Sequence, residues 1–376
     1  MASIAVTRER RPGETRVAAT PDTVKKLKGS GFSVVVETGA GLTASIPDAD
    51  YLAAGAQIAP TVAAALKGAD ILFKVRGPGD DELKALKAGA IVVGLLDPHQ
   101  DKALLQALAQ KKIAAFAMEF VPRITRAQAM DALSSQANLA GYRAVIEAVE
   151  AYGRVMPMMM TAAGTVAPAK VFVMGAGVAG LQAIATARRL GAVVTATDVR
   201  PAAKEQVESL GAKFIAVEDE EFKAAETAAG YAKEMSAEYQ AKQAALIAEH
   251  IKKQDIVITT ALIPGRPAPR LVSRAHAESM RPGSVIVDLA VEQGGNVEGV
   301  RLGETVQANG ARILGIANLP GRIAADASAL YARNLQAFAG LLINEEGQLE
   351  PNFEDEILKG ALVTRDGGIV HPALRA

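Results

Sequence analysis

The sequence predicts an α/β protein in which two Rossmann-like domains, each a doubly wound parallel sheet, are joined by a long helix. Short β-branched runs alternate with alanine-rich helical stretches almost throughout the 376 residues, which is the pattern of βαβ units around parallel sheets. A second series of such runs begins near residue 169. Between the two series, residues 130–155 have helical periodicity and few helix-breaking residues.

The first series supplies the elements of the first domain. Its predicted strands are SIAVTRE, FSVVVE, DILFKV, AIVVGLL and IAAFAME. The stretches between them, such as DELKALKAG, end in glycine as helix C-caps commonly do. From about residue 324 the chain again has helical character, and we expect this part to pack back on the first domain. The predicted domains are therefore 1–133 together with 324–376, and 134–323.

The second series supplies the elements of the second domain. Its predicted strands are AKVFVMG, VVTATD, KFIAV, DIVITTAL, SVIVDLA and RILGIAN. Residues 218–242 depart from the alternation, because they form a polar, alanine-rich insertion after a predicted strand. Their composition indicates an exposed helix or loop. Long insertions in compact domains are often lids or partner contacts, so a mobile loop is the alternative.

Composition excludes several classes of function. The chain has 41 basic and 41 acidic residues, so no basic excess is available to neutralise phosphates and nucleic-acid binding is not expected. Without cysteine, disulfides and thiolate-ligated metals are excluded. The four histidines show no metal-ligand spacing, so no metal site is expected; they are His99, His250, His276 and His371.

We expect that the chain does not cross a membrane by itself. Residues 155–187 contain one acidic or lysine charge before the arginines of the next helix, Lys170, but prolines and a glycine-rich turn interrupt them, which favours buried core over a membrane span. The apolar run at the N-terminus is short and is followed at once by dense charge, unlike a signal peptide. The lack of cysteine is compatible with the cytoplasm.

The strongest motif is GAGVAG at residues 175–180, which follows the predicted strand AKVFVM directly and opens a helical run. Gly175 permits the tight turn, Gly177 lets the backbone approach a pyrophosphate, and Gly180 lets the helix pack close to the strand. The helix N-terminus offers free N–H groups and a partial positive charge to phosphates. Because strand, turn and helix are all in register, the motif predicts a dinucleotide site.

Asp198 indicates which dinucleotide is bound. It ends the next predicted strand, VVTATD, 18 residues after Gly180. A carboxylate at this position accepts hydrogen bonds from the adenosine ribose hydroxyls and repels a 2′-phosphate, which favours NAD(H) over NADP(H). Arg200 points the other way, since a nearby arginine can accommodate a 2′-phosphate, but the strand-end carboxylate decides for NAD(H). Spacing alone thus predicts an NAD-binding α/β protein and no reaction.

Several segments resemble the nucleotide-binding component of proton-translocating NAD(P) transhydrogenase. They are RERRPGETRVAATP, MEFVPRITRAQAMDALSSQANLAGYRAV, PMMMTAAGTVAPAKVFVMGAGVAGLQAIATARRLGA, TDVRPAAKEQVESLGAKF, ETAAGYAKEM, ITTALIPGRPAPRLV, PGSVIVDLAVEQGGN and VTRDGGIVHPAL. Together they extend over essentially the whole chain. The second segment and ETAAGYAKEM are specific to this family, whereas the glycine motif is shared far more widely.

The resemblance implies a reaction and partners. The chain would be the NAD(H)-binding subunit of a transhydrogenase, exchanging hydride with NADP(H) on a partner subunit, coupled to proton translocation. Other subunits would span the membrane and bind NADP(H), and the chain would form a homodimer. It would be cytoplasmic and peripheral at the inner face of the plasma membrane through those partners. Hydride exchange between nicotinamides requires close approach and exclusion of water, and no acid or base.

The resemblance also implies a set of site residues. A loop with Arg123, Gln128, Asp131 and Ser134 would lie over the nicotinamide and its ribose. Arg123 and Asp131 can pair to hold this loop, and Gln128 offers both a donor and an acceptor. Tyr231 falls in a loop that would close over the nucleotide. The predicted cofactor-binding residues are Gly175, Ala176, Gly177, Val178, Gly180, Asp198, Val199, Arg200, Gly230, Ala261 and Leu262.

The alternative function is that of a free-standing NAD-dependent amino-acid dehydrogenase, similar to alanine dehydrogenase. Arg16 and Lys74 lie where that family places a substrate-carboxylate contact and a catalytic lysine. Its catalytic histidine, however, aligns with GLLDP near Leu96, and Glu292 stands in place of its catalytic aspartate. Without the acid–base histidine, amino-acid oxidation is not expected. A non-catalytic, regulatory NAD-binding module is a third possibility.

Overall fold

The structure, a computed structural model, describes residues 1–223, 235–263, 265–344 and 346–375. Its strands are β1 (Ser3–Val6), β2 (Ser33–Glu37), β3 (Gln57–Ala59), β4 (Ile71–Arg76), β5 (Ile91–Leu95), β6 (Ala114–Ala117), β7 (Met159–Thr161), β8 (Gly164–Val166), β9 (Lys170–Met174), β10 (Val193–Thr197), β11 (Lys213–Phe214), β12 (Ile256–Thr259), β13 (Val285–Asp288), β14 (Thr305–Ala308), β15 (Ala311–Leu314), β16 (Leu362–Arg365) and β17 (Gly368–Ile369).

The helices in the described residues are α1 (Pro21–Gly29), α2 (Asp48–Ala53), α3 (Val62–Leu66), α4 (Asp80–Ala85), α5 (Lys102–Gln110), α6 (Ala132–Tyr152), α7 (Val178–Arg189), α8 (Ala203–Ser209), α9 (Glu220–Lys223), α10 (Ala237–Ile251), α11 (Arg274–Glu278), α12 (Ala324–Ala339) and α13 (Glu356–Ala361). The chain divides into two units. The first is Met1–Gln136 with Pro320–Ala376, and the second is Ala137–Leu319. Domain boundaries stay a prediction, because this division rests on packing and not on independent folding.

In the first unit, the described strands form a sheet with the order β17-β16-β6-β5-β4-β1-β2-β3. The strands from β6 to β3 are parallel, and β16 and β17 add an antiparallel edge. Parallel strands covered on both faces need nearly continuous apolar sequence, which ILFKVR in β4 supplies. Ile71, Phe73 and Val75 pack in the core on one face, and Leu72 packs in the core on the other.

In the second unit, the described strands form a sheet with the order β11-β10-β9-β12-β13-β15-β14, in which only the edge strand β14 is antiparallel. Val171 and Val173 of β9 pack in one core, and Phe172 and Met174 pack in the other. In both units, the parallel strands taken in chain order follow the 3-2-1-4-5-6 order of doubly wound sheets. The predicted fold class is confirmed.

The predicted long helix is α6, which has 21 residues. The division between the two units falls within it, after Gln136. Within the second unit, α6 packs tightly on the start of α7: a Cβ on Gly141 would overlap the carbonyl oxygen of Ala179. Glycine is required at this contact, because any side chain would push the two helices apart.

The prediction that residues 155–187 are buried core is wrong for their first portion. Strands β7 and β8 form a separate antiparallel two-stranded sheet. Met158, Met159 and Met160 are 59%, 45% and 80% exposed. Apolar composition does not determine burial here, because this hairpin lies outside the seven-stranded sheet. Burial begins at Ala169 and continues through β9.

No helix in the described residues combines the length and the apolar character needed to cross a membrane. The insertion predicted at 218–242 is described only at its two ends. Helix α9 precedes residues 224–234 and α10 follows them. The predicted residues Gly230 and Tyr231 lie outside the described residues.

Candidate dinucleotide-binding site

The glycine motif forms the turn between β9 and α7. Gly175 has φ +104°, a left-handed conformation, and a Cβ there would lie 2.5 Å from Oγ1 of Thr260. A Cβ on Gly180 would overlap the carbonyl oxygen of Gly175, so this glycine lets α7 start directly against the turn. At Gly177, by contrast, a Cβ would meet nothing within 4 Å. The backbone of Gly177 therefore borders open space that a pyrophosphate can enter.

Helix α7 provides the electrostatics that phosphates require. It has 12 residues, and its first helical hydrogen bond runs from the N–H of Leu181 to the carbonyl of Gly177 at 2.8 Å. The N–H groups before Leu181 have no carbonyl acceptor inside the helix, and they carry its partial positive charge. The turn lies beside the gap between β9 and β12, where the order of strands reverses and ligands bind in doubly wound sheets. These features fit a dinucleotide.

Asp198 follows β10 and lies against the glycine turn. Its Oδ2 accepts a hydrogen bond from the N–H of Ala176 at 2.7 Å. The same carboxylate is paired with the guanidinium of Arg200, at 2.9 Å from Nε to Oδ1 and 3.0 Å from Nη2 to Oδ2. The side chain of Asp198 is 7% exposed and that of Arg200 is 33% exposed. The structure thus brings three predicted residues together.

The backbone after β12 is fixed by two residues that sequence reasoning missed. Oγ1 of Thr260 donates to the carbonyl of Gly175 at 3.0 Å. Asn296 is fully buried and bonds the backbone of Ala261 twice: its Oδ1 accepts from the N–H at 3.1 Å, and its Nδ2 donates to the carbonyl at 2.8 Å. The signal in the sequence was an asparagine directly after the glycine pair in VEQGGN, where a buried amide can hold a neighbouring loop.

Three predicted cofactor-binding residues expose apolar side chains after neighbouring strands. Val178, Val199 and Leu262 follow β9, β10 and β12, and they are 41%, 56% and 46% exposed. The carboxyl ends of parallel strands lie at the same edge of a sheet, so these side chains border the same crevice. Apolar surface at that edge suits the flat faces of nucleotide bases.

The predicted nicotinamide-loop residues belong to the first unit. Arg123 is partly exposed and Gln128 is exposed. Asp131 caps α6: its Oδ1 accepts from the N–H of Ser134 at 2.8 Å, and its Oδ2 accepts from Oγ of Ser134 at 2.6 Å. In the described residues, Ser134 is thus the partner of Asp131, and the pairing of Asp131 with Arg123 is not formed. An aspartate at a helix start satisfies N–H groups that the helix leaves unbonded.

The crevice of the first unit has a different content. Lys74, at 1% exposure, lies in β4 with Nζ 3.2 Å from Oε1 of Glu9 and 3.0 Å from Oε1 of Glu82. Glu82 also accepts from the hydroxyl of Thr7. Burial raises the pKa of Glu9, and Lys74 limits the rise. A cavity of about 520 Å³ borders this cluster. Its charged groups bond to each other.

Arg16 is equally enclosed. Its Nε lies 2.8 Å from Oε1 of Glu14, its Nη2 lies 2.7 Å from Oε2, and its Nη1 donates to Gln136 at 2.8 Å. Burial opposes ionisation of Glu14, but the hydrogen bonds and charge of Arg16 outweigh it and lower the pKa of Glu14 to about 2. Arg16 and Glu14 are therefore a fully charged buried pair at neutral pH.

The turn after β5 carries Leu96 where an alanine dehydrogenase would carry its histidine. His99 instead packs edge-to-face on Phe120 at 5.3 Å between ring centroids, and His371 stacks on the same ring at 4.2 Å. Glu292 accepts a hydrogen bond from the N–H of Asn318 at 3.1 Å. The described structure therefore gives these residues packing contacts and structural hydrogen bonds in place of an acid–base role.

A doubly wound unit whose switch point carries GAGVAG and a strand-end carboxylate has the fold and turn typical of dinucleotide-binding proteins. Models of the alanine dehydrogenase/PNT family match this chain, the N-terminal domain at residues 5–140 and the C-terminal domain at 144–372. The chain belongs to this family and, within it, to the alpha subunits of NAD(P) transhydrogenase. The family that the sequence segments indicated is confirmed, and the chain is a transhydrogenase component.

Three relatives illustrate the match. The first of the separate polypeptides that make up the NAD(P) transhydrogenase alpha subunit of Rhodospirillum rubrum is 56% identical, over 99% of this chain and 98% of the relative. A transhydrogenase structure from Sinorhizobium meliloti has a TM-score of 0.90 and 57% identity, over 98% of this chain and 100% of that one. An L-alanine dehydrogenase structure has a TM-score of 0.84 at 27% identity, over 99% and 98% of the two chains. The fold is thus shared with alanine dehydrogenase, but the sequence is much nearer to the transhydrogenases.

Proposed function

We propose that this chain is the NAD(H)-binding subunit of a proton-translocating transhydrogenase and exchanges hydride with NADP(H) held by a partner subunit. One observation carries the proposal: the chain belongs to the transhydrogenase alpha subunits, and its second unit has an open glycine turn beside Asp198 at the switch point. The first unit has the same strand order with a crevice filled by its own charges, which favours one dinucleotide per chain.

The second unit supplies binding groups along the dinucleotide. The backbone of Gly177 and the first N–H groups of α7 would hold the pyrophosphate, and the carboxylate of Asp198 would accept from the adenosine ribose. Val199 and Leu262 would offer apolar surface to the adenine. When bound, NAD(H) supplies the hydride donor or acceptor. The chain's task is to hold and orient this cofactor and to limit access of water.

The nicotinamide end is assigned to the loop residues that the resemblance implies. Arg123 and Gln128 can reach outward to polar groups of a nucleotide, while Asp131 and Ser134 hold the start of α6. Gly230 and Tyr231 complete the proposed set as members of a closing loop. No general acid or base is needed, because hydride exchange between nicotinamides moves no proton with the hydride.

The proposal includes partners and location. The name of the Rhodospirillum rubrum relative describes one portion of a divided alpha subunit. Accordingly, separate subunits would span the membrane, bind NADP(H) and couple hydride exchange to proton movement. This chain would act as a homodimer at the cytoplasmic face of the membrane, attached through those subunits.

The test is an assay of the purified chain in three samples. Quenching or enhancement of NADH fluorescence measures binding by the chain alone. Hydride exchange from NADH to an NADP analogue is then followed with and without the NADP-binding partner subunit. A third sample contains L-alanine and NAD without a partner. We expect NADH binding, exchange only with the partner, and no alanine turnover.

Each alternative has its own outcome in this assay. Robust alanine oxidation by the chain alone would contradict the proposal and support an amino-acid dehydrogenase. Binding of both nucleotides without exchange in the reconstituted complex would contradict it in favour of a regulatory module.

A further inference from the structure

The carboxylate of Asp198 has a full set of hydrogen bonds in this structure. Oδ1 accepts from the backbone N–H and from Nε of Arg200, both at 2.9 Å. Oδ2 accepts from the N–H of Ala176 at 2.7 Å and from Nη2 of Arg200 at 3.0 Å. A carboxylate has about four acceptor sites. An adenosine ribose can therefore donate to Asp198 only if one of these donors leaves.

The guanidinium of Arg200 is the donor that can leave. The other two donors, the N–H groups of Ala176 and Arg200, are backbone atoms of the turns that form the site. The side chain of Arg200 is one third exposed and pairs in a fork-like geometry suited equally to a carboxylate or a phosphate. Released from Asp198, it would still lie at the end of β10, where the adenosine ribose carries a 2′-phosphate in NADP(H).

We propose that Arg200 is a latent ligand for a 2′-phosphate and that Asp198 holds it out of use, so that this pair of side chains sets the preference for NAD(H) over NADP(H). The inference rests on the proposed dinucleotide site. Asp198 acts twice: its charge repels a 2′-phosphate, and its hydrogen bonds occupy the guanidinium that would attract one. A subunit that meets NADP(H) on its partner thereby keeps that nucleotide out of its own site.

The experiment titrates NADH and NADPH, by nucleotide fluorescence, into wild type, Asp198→Ser and Asp198→Ser/Arg200→Gln. Serine removes the charge, makes room and releases Arg200. Relative to wild type, Asp198→Ser should bind NADPH at least about tenfold more tightly and NADH less tightly, because a fork-like charge-assisted pair contributes about that factor. The double variant should lose the gain for NADPH.

The matched control is Asp198→Ser/Arg189→Gln, which removes an exposed arginine from the far end of α7 and should keep the gain. If serine unsettles the glycine turn, seen as a lowered melting temperature, Asp198→Asn replaces it, because its amide oxygen can still accept from Ala176. With asparagine the gain for NADPH should again depend on Arg200.

Two results would overturn the inference: equal NADPH affinity with and without Arg200 in the substituted background, or no gain for NADPH in any folded Asp198 variant. Failure of the proposed function looks different, since wild type would then fail to bind NADH.

Discussion

The two units share one strand order but use the same place in it differently. In the first, the gap between β1 and β4 contains buried Lys74 with Glu9 and Glu82. In the second, the gap between β9 and β12 is bordered by a glycine turn with open space at Gly177. A doubly wound topology thus creates a crevice at a fixed position, and the side chains placed there decide whether it is filled from within or left for a ligand.

The difference has an energetic consequence. Buried ion pairs contribute little net stability, yet removing one partner is costly because it leaves an uncompensated charge in a poorly solvated place. The crevice of the first unit should therefore be sensitive in folding and insensitive in nucleotide binding. An open glycine turn should behave in the opposite way. The predictions below test this contrast, from the largest expected effect to the smallest.

Lys74→Met should give the largest effect. It leaves Glu9 and Glu82 buried without their cation, so the free energy of unfolding should fall by roughly 3–5 kcal/mol, measured by urea unfolding. NADH affinity of the remaining folded protein should change by less than about threefold. The control is Lys84→Met, which removes an exposed lysine 3.9 Å from Asp81 and should cost less than about 0.5 kcal/mol. The contrast would break if Lys74→Met weakened NADH binding and left stability intact.

Glu119→Gln should reveal a pH-dependent contribution in the first unit. Burial raises the pKa of Glu119 to about 7, although N–H groups of Leu96 and Asp97 donate to it. The folded chain thus binds an extra proton between about pH 4.5 and 7, and the stability from Glu119 is complete below pH 4.5 and lost as the pH rises through 7.

The measurement compares urea unfolding of wild type and Glu119→Gln at pH 5 and pH 8. Glutamine cannot ionise, so wild type should lose about 3 kcal/mol more than the variant over this range, beyond any constant offset. Glu354→Gln, at an exposed side chain, should follow wild type. An identical pH dependence for wild type and Glu119→Gln would show that this acid does not titrate in the folded chain.

Gly177→Ala should weaken NADH binding by about 10–100-fold without loss of stability, because its methyl group would enter the space proposed for the pyrophosphate. Gly29→Ala in α1 is matched to it, since a Cβ there also meets nothing within 4 Å, and it should leave NADH binding unchanged. Fluorescence titration and thermal unfolding measure the two effects. Unaltered NADH affinity of Gly177→Ala would move the pyrophosphate away from this turn.

Gln128→Asn should have the smallest effect and should locate the contribution of the first unit in its loop. Shortening the side chain withdraws its amide, so hydride exchange with the partner present should slow by about tenfold, while NADH affinity changes by less than about twofold. Gln106→Asn, at an exposed position of α5, should change neither. Equal losses in exchange rate and NADH affinity would argue against a positioning role for Gln128.

The glycine turn could be predicted from sequence because its physics is local. The strand AKVFVM, the three glycines and the following helix are adjacent in the chain, so their spacing alone indicated the turn that the structure shows at Gly175 and Gly180. The exposed hairpin of Met158, Met159 and Met160 could not be predicted this way. Its composition resembles core, and only the path of the chain places it outside the seven-stranded sheet.

By itself, the sequence determined the fold class, the position of the glycine turn and the family, because periodicity, turn residues and motif spacing are properties of neighbouring residues. Only the tertiary structure decided which charges pair: Lys74 with Glu9, and the carboxylate of Asp198 with both Ala176 and Arg200. Such pairs join groups that lie far apart in the chain or compete for one acceptor. Which bond forms depends on burial and geometry that arise only when the strands have assembled.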